Sequence, residues 1–94
     1  MIKSVKIGGI VYDVVETSGL FDESTKLNGH IEYQKTKIEL ESNMSAQCKK
    51  VILFHEILHG IMTQAGLEND EKLVEILAYG LVGVLQDNPE LVTL

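Results

Sequence analysis

The sequence predicts an α+β fold, a small antiparallel sheet of three or four strands followed by two helices. Three observations predict it. Residues 3–41 carry short runs of alternating apolar and polar residues punctuated by glycine, the pattern of half-buried strands. Residues 51–62 are apolar on most sides of a helix, which marks a buried helix. Residues 70–89 combine a helical apolar period with an acidic start and a proline stop.

Taken in order, Lys3 to Ile7 and Ile10 to Glu16 are two β-like runs around Gly8-Gly9. That dipeptide allows positive φ at both centres of a tight hairpin turn. Thr17 to Asn28 loses the alternation and reads as a loop or a short irregular helix, with Leu20, Phe21 and Leu27 available to pin it down. Alternation returns in Gly29 to Tyr33 and Thr36 to Glu41, with Gln34-Lys35 as a second turn. Ser45 is a suitable N-cap for a helix running from about Ala46 to Ala65, and Gly66 suits the left-handed position after its end. Asn69 or Asp70 caps the second helix, whose first turn holds Asp70 and Glu71 at the positive end of the dipole. Pro89 behind Asn88 stops that helix and opens a short final turn through Leu94. No repeat, low-complexity tract or linker interrupts the 94 residues, so a single domain is expected.

Composition narrows the function classes. A net charge of -6 with eight scattered basic residues argues against binding to the nucleic-acid backbone, and a peptide or protein substrate fits more easily. Cys48, the lone cysteine, excludes an internal disulfide and a cysteine-based zinc site, suits a reducing cytoplasm, and is expected to pack on its helix. The opening residues lead into alternation rather than the apolar core of a signal peptide. Apolar runs such as Ile76 to Leu85 fall short of the roughly 18 residues a membrane span needs. A cytoplasmic protein with no membrane partner is expected.

Chemistry concentrates in His55-Glu56-Ile57-Leu58-His59. On a helix the two imidazoles lie one turn apart and can aim at one ion, while the carboxylate one step round can take a proton from a water beside it. A lone histidine on an apolar face is usually a core residue held by a hydrogen bond. Two at metal spacing around a glutamate instead form a zinc-hydrolase half-site, with Glu56 as general base.

A catalytic zinc needs a third protein ligand. A metzincin-type continuation is excluded, because Met62 and Ala65 stand where a glycine and a histidine would be required. A carboxylate from the second helix remains. Glu71 shares a stripe with Val74, Ala78, Leu81 and Leu85, the face expected to pack on the first helix, and is taken as the ligand. Glu75 turns toward Lys72, Tyr79 and Gln86 and is the alternative third ligand or a hydrogen-bonding partner of a histidine. Tyr33, Tyr79 and His30 are the candidate donors to a developing oxyanion.

Beyond the half-site, His55 to Ile61, Glu71-x-x-Val74, Leu77 to Leu81 and Val84 to Pro89 resemble small phage and prophage metallopeptidases of the gluzincin class. The likeness is to the ImmA/IrrE-type enzymes and the minimal single-domain minigluzincins, and it covers roughly Gly29 to Pro89. The resemblance implies a zincin-like fold, a twisted antiparallel sheet against an active-site helix and a glutamate-bearing second helix. It implies Zn2+ held by His55, His59 and a downstream glutamate, Glu56 as base, and a phage-encoded or bacterial cytoplasmic setting. In zincin-like sheets the strand before the helix is often an edge, which makes Thr36 to Glu41 the expected cradle for an extended substrate. Two rival readings remain open. One is a catalytically inactive zinc-binding accessory or inhibitor protein; the other is a non-metal interaction module that forms a dimer or other homo-oligomer, since Leu73, Ile76, Leu77, Val82 and Val84 widen the apolar arc of the second helix beyond one face.

Overall fold

The structure, a computed structural model, describes residues 2–94, with Met1 outside them. Strands β1 (Ser4–Ile7) and β2 (Ile10–Thr17) form the expected hairpin, and Gly8 and Gly9 take φ of 55° and 86° at its turn. Both values lie in the region that a two-residue turn of this hand requires. The following segment is neither plain loop nor helix. It holds a small hairpin of β3 (Phe21–Asp22) and β4 (Thr25–Lys26), pinned by buried Leu20 while Phe21 points out at 57 % exposure.

Strands β5 (Gly29–Glu32) and β6 (Lys37–Glu41) pair antiparallel across a turn at residues 33–36. The sheet order is β1-β2-β6-β5, and β2 and β6 run parallel, from Asp13 beside Lys37 to Thr17 beside Glu41. The sheet is therefore mixed, which corrects the expectation of a purely antiparallel one. Two chain reversals separate β2 from β6, and β6 slots between β2 and β5. Alternation of side chains is identical for either strand direction, so the pattern could not reveal it.

The loop that makes this crossover is strapped down by a buried carboxylate. Glu41, 2 % exposed at the end of β6, accepts the backbone N–H of Gly19 (3.1 Å) and Leu20 (3.0 Å) on Oε1 and that of Asn43 (3.1 Å) on Oε2. These bonds hold its carboxyl below the usual carboxylate value.

Helix α1 (Ala46–Gln64) begins at Ser45, whose Oγ accepts the Cys48 N–H at 3.1 Å, and ends at Ala65, with Gly66 following at φ 73°. Helix α2 (Glu71–Asp87) is capped by Asp70, whose carboxylate accepts the Leu73 N–H at 3.1 Å, and a 3-10 turn follows at Pro89–Thr93. Helix α1 is the middle layer. One side meets the sheet through Ile7, Tyr12, Ile31, Ile38, Leu40 and Leu53; the other meets α2 through Val51, Ala78 and Val82, with Phe54 and Leu58 against them. Burial from two sides explains why its sequence is apolar on most faces.

Two expected placements change. Val82 rather than Leu81 completes the packed stripe of α2, with Val82 at 4 % and Leu81 at 41 % exposure. Residues 74, 78 and 82 repeat every four positions, the row along which helices pack side by side. Cys48 is exposed rather than packed, as are Ala46 and Gln47 beside it in the first turn of α1. Among the described residues, no helix is long and apolar enough to cross a membrane.

Candidate metal centre

Helix periodicity brings the first two donors together. His55 and His59 lie one turn apart with ring centroids 4.9 Å apart and Nε2 atoms 3.2 Å apart. The short connection of residues 65–70 then returns the chain so that the first turn of α2 faces them. Glu71 bridges both rings, with Oε1 2.7 Å from His55 Nε2 and Oε2 2.8 Å from His59 Nε2. The imidazoles are 13 % exposed and the carboxylate 70 %, so the cluster opens to solvent on the glutamate side.

This group could hold a metal ion. Two nitrogens bound tetrahedrally at about 2.0–2.1 Å stand about 3.3 Å apart, close to the separation here. The glutamate oxygens would need to open by about half an ångström from hydrogen-bonding distance to ligand distance. The carboxylate, largely exposed, is free to make that movement. Two imidazoles and a carboxylate form a mixed nitrogen and oxygen set suited to a borderline divalent ion.

Behind His59 runs a chain of hydrogen bonds that fixes its tautomer. Thr63 Oγ1 donates to the Tyr33 hydroxyl at 3.0 Å and accepts from Asn69 Nδ2 at 3.0 Å. The amide of Asn69 is thereby oriented, and its Oδ1 faces His59 Nδ1 at 2.8 Å. Nδ1–H is the donor in that bond, so Nε2 is the nitrogen that would be offered to an ion in place of its contact with Glu71.

Glu56 is the second buried carboxylate of the molecule, at 6 % exposure. Burial pushes its pKa up to about 7; the nearby His59 opposes the rise and Glu71 adds to it. Gly29 of β5 lies against it. A Cβ at that position would collide with the Ile52 side chain and stand 3.0 Å from Glu56 Oε2. The edge of the sheet thus comes close to this carboxylate because position 29 has no side chain.

These groups line a cleft of about 300 Å³ between the 26–29 stretch, the α1 residues Ile52, His55 and Glu56, and the α2 residues Glu71, Glu75 and Tyr79. Glu75, the alternative third ligand, lines the cleft without joining the three-donor cluster. Of the three candidate oxyanion donors, Tyr79 reaches the cleft. Tyr33 instead ends the chain of hydrogen bonds behind His59, and His30 sits on β5 beside Glu32 at 3.9 Å.

Strand β6 is central in the sheet, so Thr36 to Glu41 has no free edge to offer, contrary to expectation. The free edge beside the cleft belongs to β5. Sequence reasoning also missed Gly29, Asn69 and Glu41 as positioning groups. Gly29 carried a readable signal, since a glycine inside an alternating run often marks a close backbone approach. Asn69 was weighed only as a helix cap, a role that Asp70 takes. Comparison with protein-family models, curated proteins and solved structures finds no match to this chain.

Proposed function

We propose that this chain is a zinc-dependent peptidase of the minimal gluzincin type, acting in the cytoplasm of a bacterium or of a phage-infected host. His55, His59 and Glu71 hold the ion and Glu56 is the general base. The observation that carries this reading is the convergence of one exposed carboxylate on two imidazole Nε2 atoms beside a buried carboxylate in the same cleft. A purely structural metal site has no use for Glu56, whose burial is unfavourable for an ionised group.

When bound, zinc supplies Lewis acidity, lowering the pKa of a water and polarising a carbonyl. Glu56 takes the proton of the attacking water and passes it to the leaving amine, and its burial, which favours the protonated form, suits the second transfer. The hydrogen bond that His59 Nδ1–H donates to Asn69 Oδ1 keeps His59 in the ligating tautomer. The outer edge of β5 offers backbone N–H and C=O groups to an extended peptide, which lays its scissile bond across the cleft. Tyr79, which lines the cleft, is the candidate donor to the developing oxyanion.

The test combines elemental analysis of the tag-free protein with mass-spectrometric detection of cleavage in a peptide library. About one zinc per chain and cleavage that falls at least about a hundredfold in Glu56→Gln, with zinc retained, support the peptidase. Zinc without cleavage leaves a metal-binding accessory protein. Absence of zinc uptake on titration overturns the reading altogether.

A further inference from the structure

Helix α2 spends only one of its faces on α1. Val74, Ala78 and Val82 are buried there, yet Leu73 (45 %), Ile76 (59 %), Leu77 (41 %), Leu81 (41 %) and Val84 (47 %) stand exposed. Leu73, Leu77, Gly80 and Val84 follow one another at alternating spacings of four and three, which draws one straight stripe along the helix. Ile76 widens it on the flank nearer Tyr79.

The glycines of α2 sharpen the point. A glycine within a helix costs about 1 kcal/mol relative to alanine. A Cβ at Gly80 would meet nothing within 4 Å, so no close approach inside this chain explains its absence. The stripe is also self-complementary when two copies run antiparallel. Leu73 then lies opposite Val84 of the other copy and Leu77 opposite the bare backbone of Gly80, while Ile76 flanks the seam on the side where Gly83 of the other copy comes up. In that register Lys72, at the start of the stripe, comes within about one turn of Asp87 at its end. Neither side chain forms an ion pair among the described residues.

We propose that α2 is the contact surface of a symmetric dimer of this chain, packed antiparallel about an axis near residues 78–79. The stripe offers on the order of 400 Å² per copy, about 800 Å² in total, the size of a weak, concentration-dependent interface. The apposition of Lys72 with Asp87 is available from a second copy and not from a membrane surface. The molecule carries a net charge of -6, and Lys72 is the single basic residue of α2, so an anionic bilayer would be repelled.

Sedimentation velocity of the full chain across a concentration series, at moderate salt, tests this. A species of twice 10.4 kDa that grows with concentration is expected. Ile76→Asp should abolish it while helix content stays unchanged and the thermal midpoint matches that of the dilute, single-chain wild type, because that side chain is 59 % exposed in the single chain. Lys72→Asp and Asp87→Lys should each weaken association by roughly three- to tenfold, and the double exchange should restore it. A single-chain mass at every concentration up to about 1 mM, a dimer indifferent to Ile76→Asp, or a double exchange that restores nothing would overturn the proposal. So would Ile76-dependent binding of the single chain to phosphatidylcholine vesicles.

Discussion

Position 29 sets how near the sheet edge comes to the Glu56 carboxylate. In Gly29→Ala the new methyl would press on Ile52 and stand 3.0 Å from Glu56 Oε2. The variant should lose about 1–3 kcal/mol of stability from overpacking. Its peptide cleavage should fall at least about tenfold with zinc content unchanged, read by elemental analysis beside the cleavage assay. Asn69 acts through His59 instead. Asn69→Leu should weaken zinc binding by roughly 10–100-fold in a chelator competition titration, and Asn69→Asp should recover most of it. The approach of His55, Glu56 and His59 was legible in the sequence because helical periodicity decides which of them can meet, whereas Glu71, weighed against Glu75, reaches them through the 65–70 connection. Asn69 and Gly29 act through loop geometry and backbone approach, which no periodicity encodes.

Among the elements, β6 departs furthest from its sequence pattern. Lys37, Glu39 and Glu41 alternate with Ile38 and Leu40, yet Glu41 is buried with the apolar residues and anchors the crossover loop. Its carboxyl is held below the usual value near 4.5 by the backbone donors of Leu20, Asn43 and Gly19. Glu39 is lowered likewise, chiefly by the Thr17 hydroxyl at 2.8 Å. A carboxyl depressed by folding adds stability that is complete above its unfolded pKa and disappears as the pH falls through its folded one. The thermal midpoint should therefore drop as pH is lowered from about 5 through 4 and below. Glu41→Gln should start lower at pH 7 and show a flatter acid limb. The helices were more legible than the sheet, since caps at Ser45 and Asp70 and breakers at Gly66 and Pro89 are local signals. Strand partnership is decided by contacts between distant segments.

Across the whole molecule, the proposed ion would join two helices that otherwise meet through a small apolar contact around Val51, Ala78 and Val82. Free zinc at a hundred times its dissociation constant should stabilise the fold by about 2.7 kcal/mol. In a domain of this size that raises the thermal midpoint by about 10–20 °C, measured by circular dichroism with and without chelator. Glu71→Ala should erase most of the difference. Layer order also bears on how the chain comes together. The β1–β2 hairpin is local and can form as soon as residues 4–17 exist, but its partner β6 is complete only at residue 41. Parallel pairing across that separation closes a long loop, which is a slow step. The glutamate of the three-donor cluster comes later still, at the start of the last long helix. Synthesis from the N-terminus therefore completes the scaffold before the cluster, so a nascent or truncated chain lacking α2 would carry the two histidines without the carboxylate that joins them.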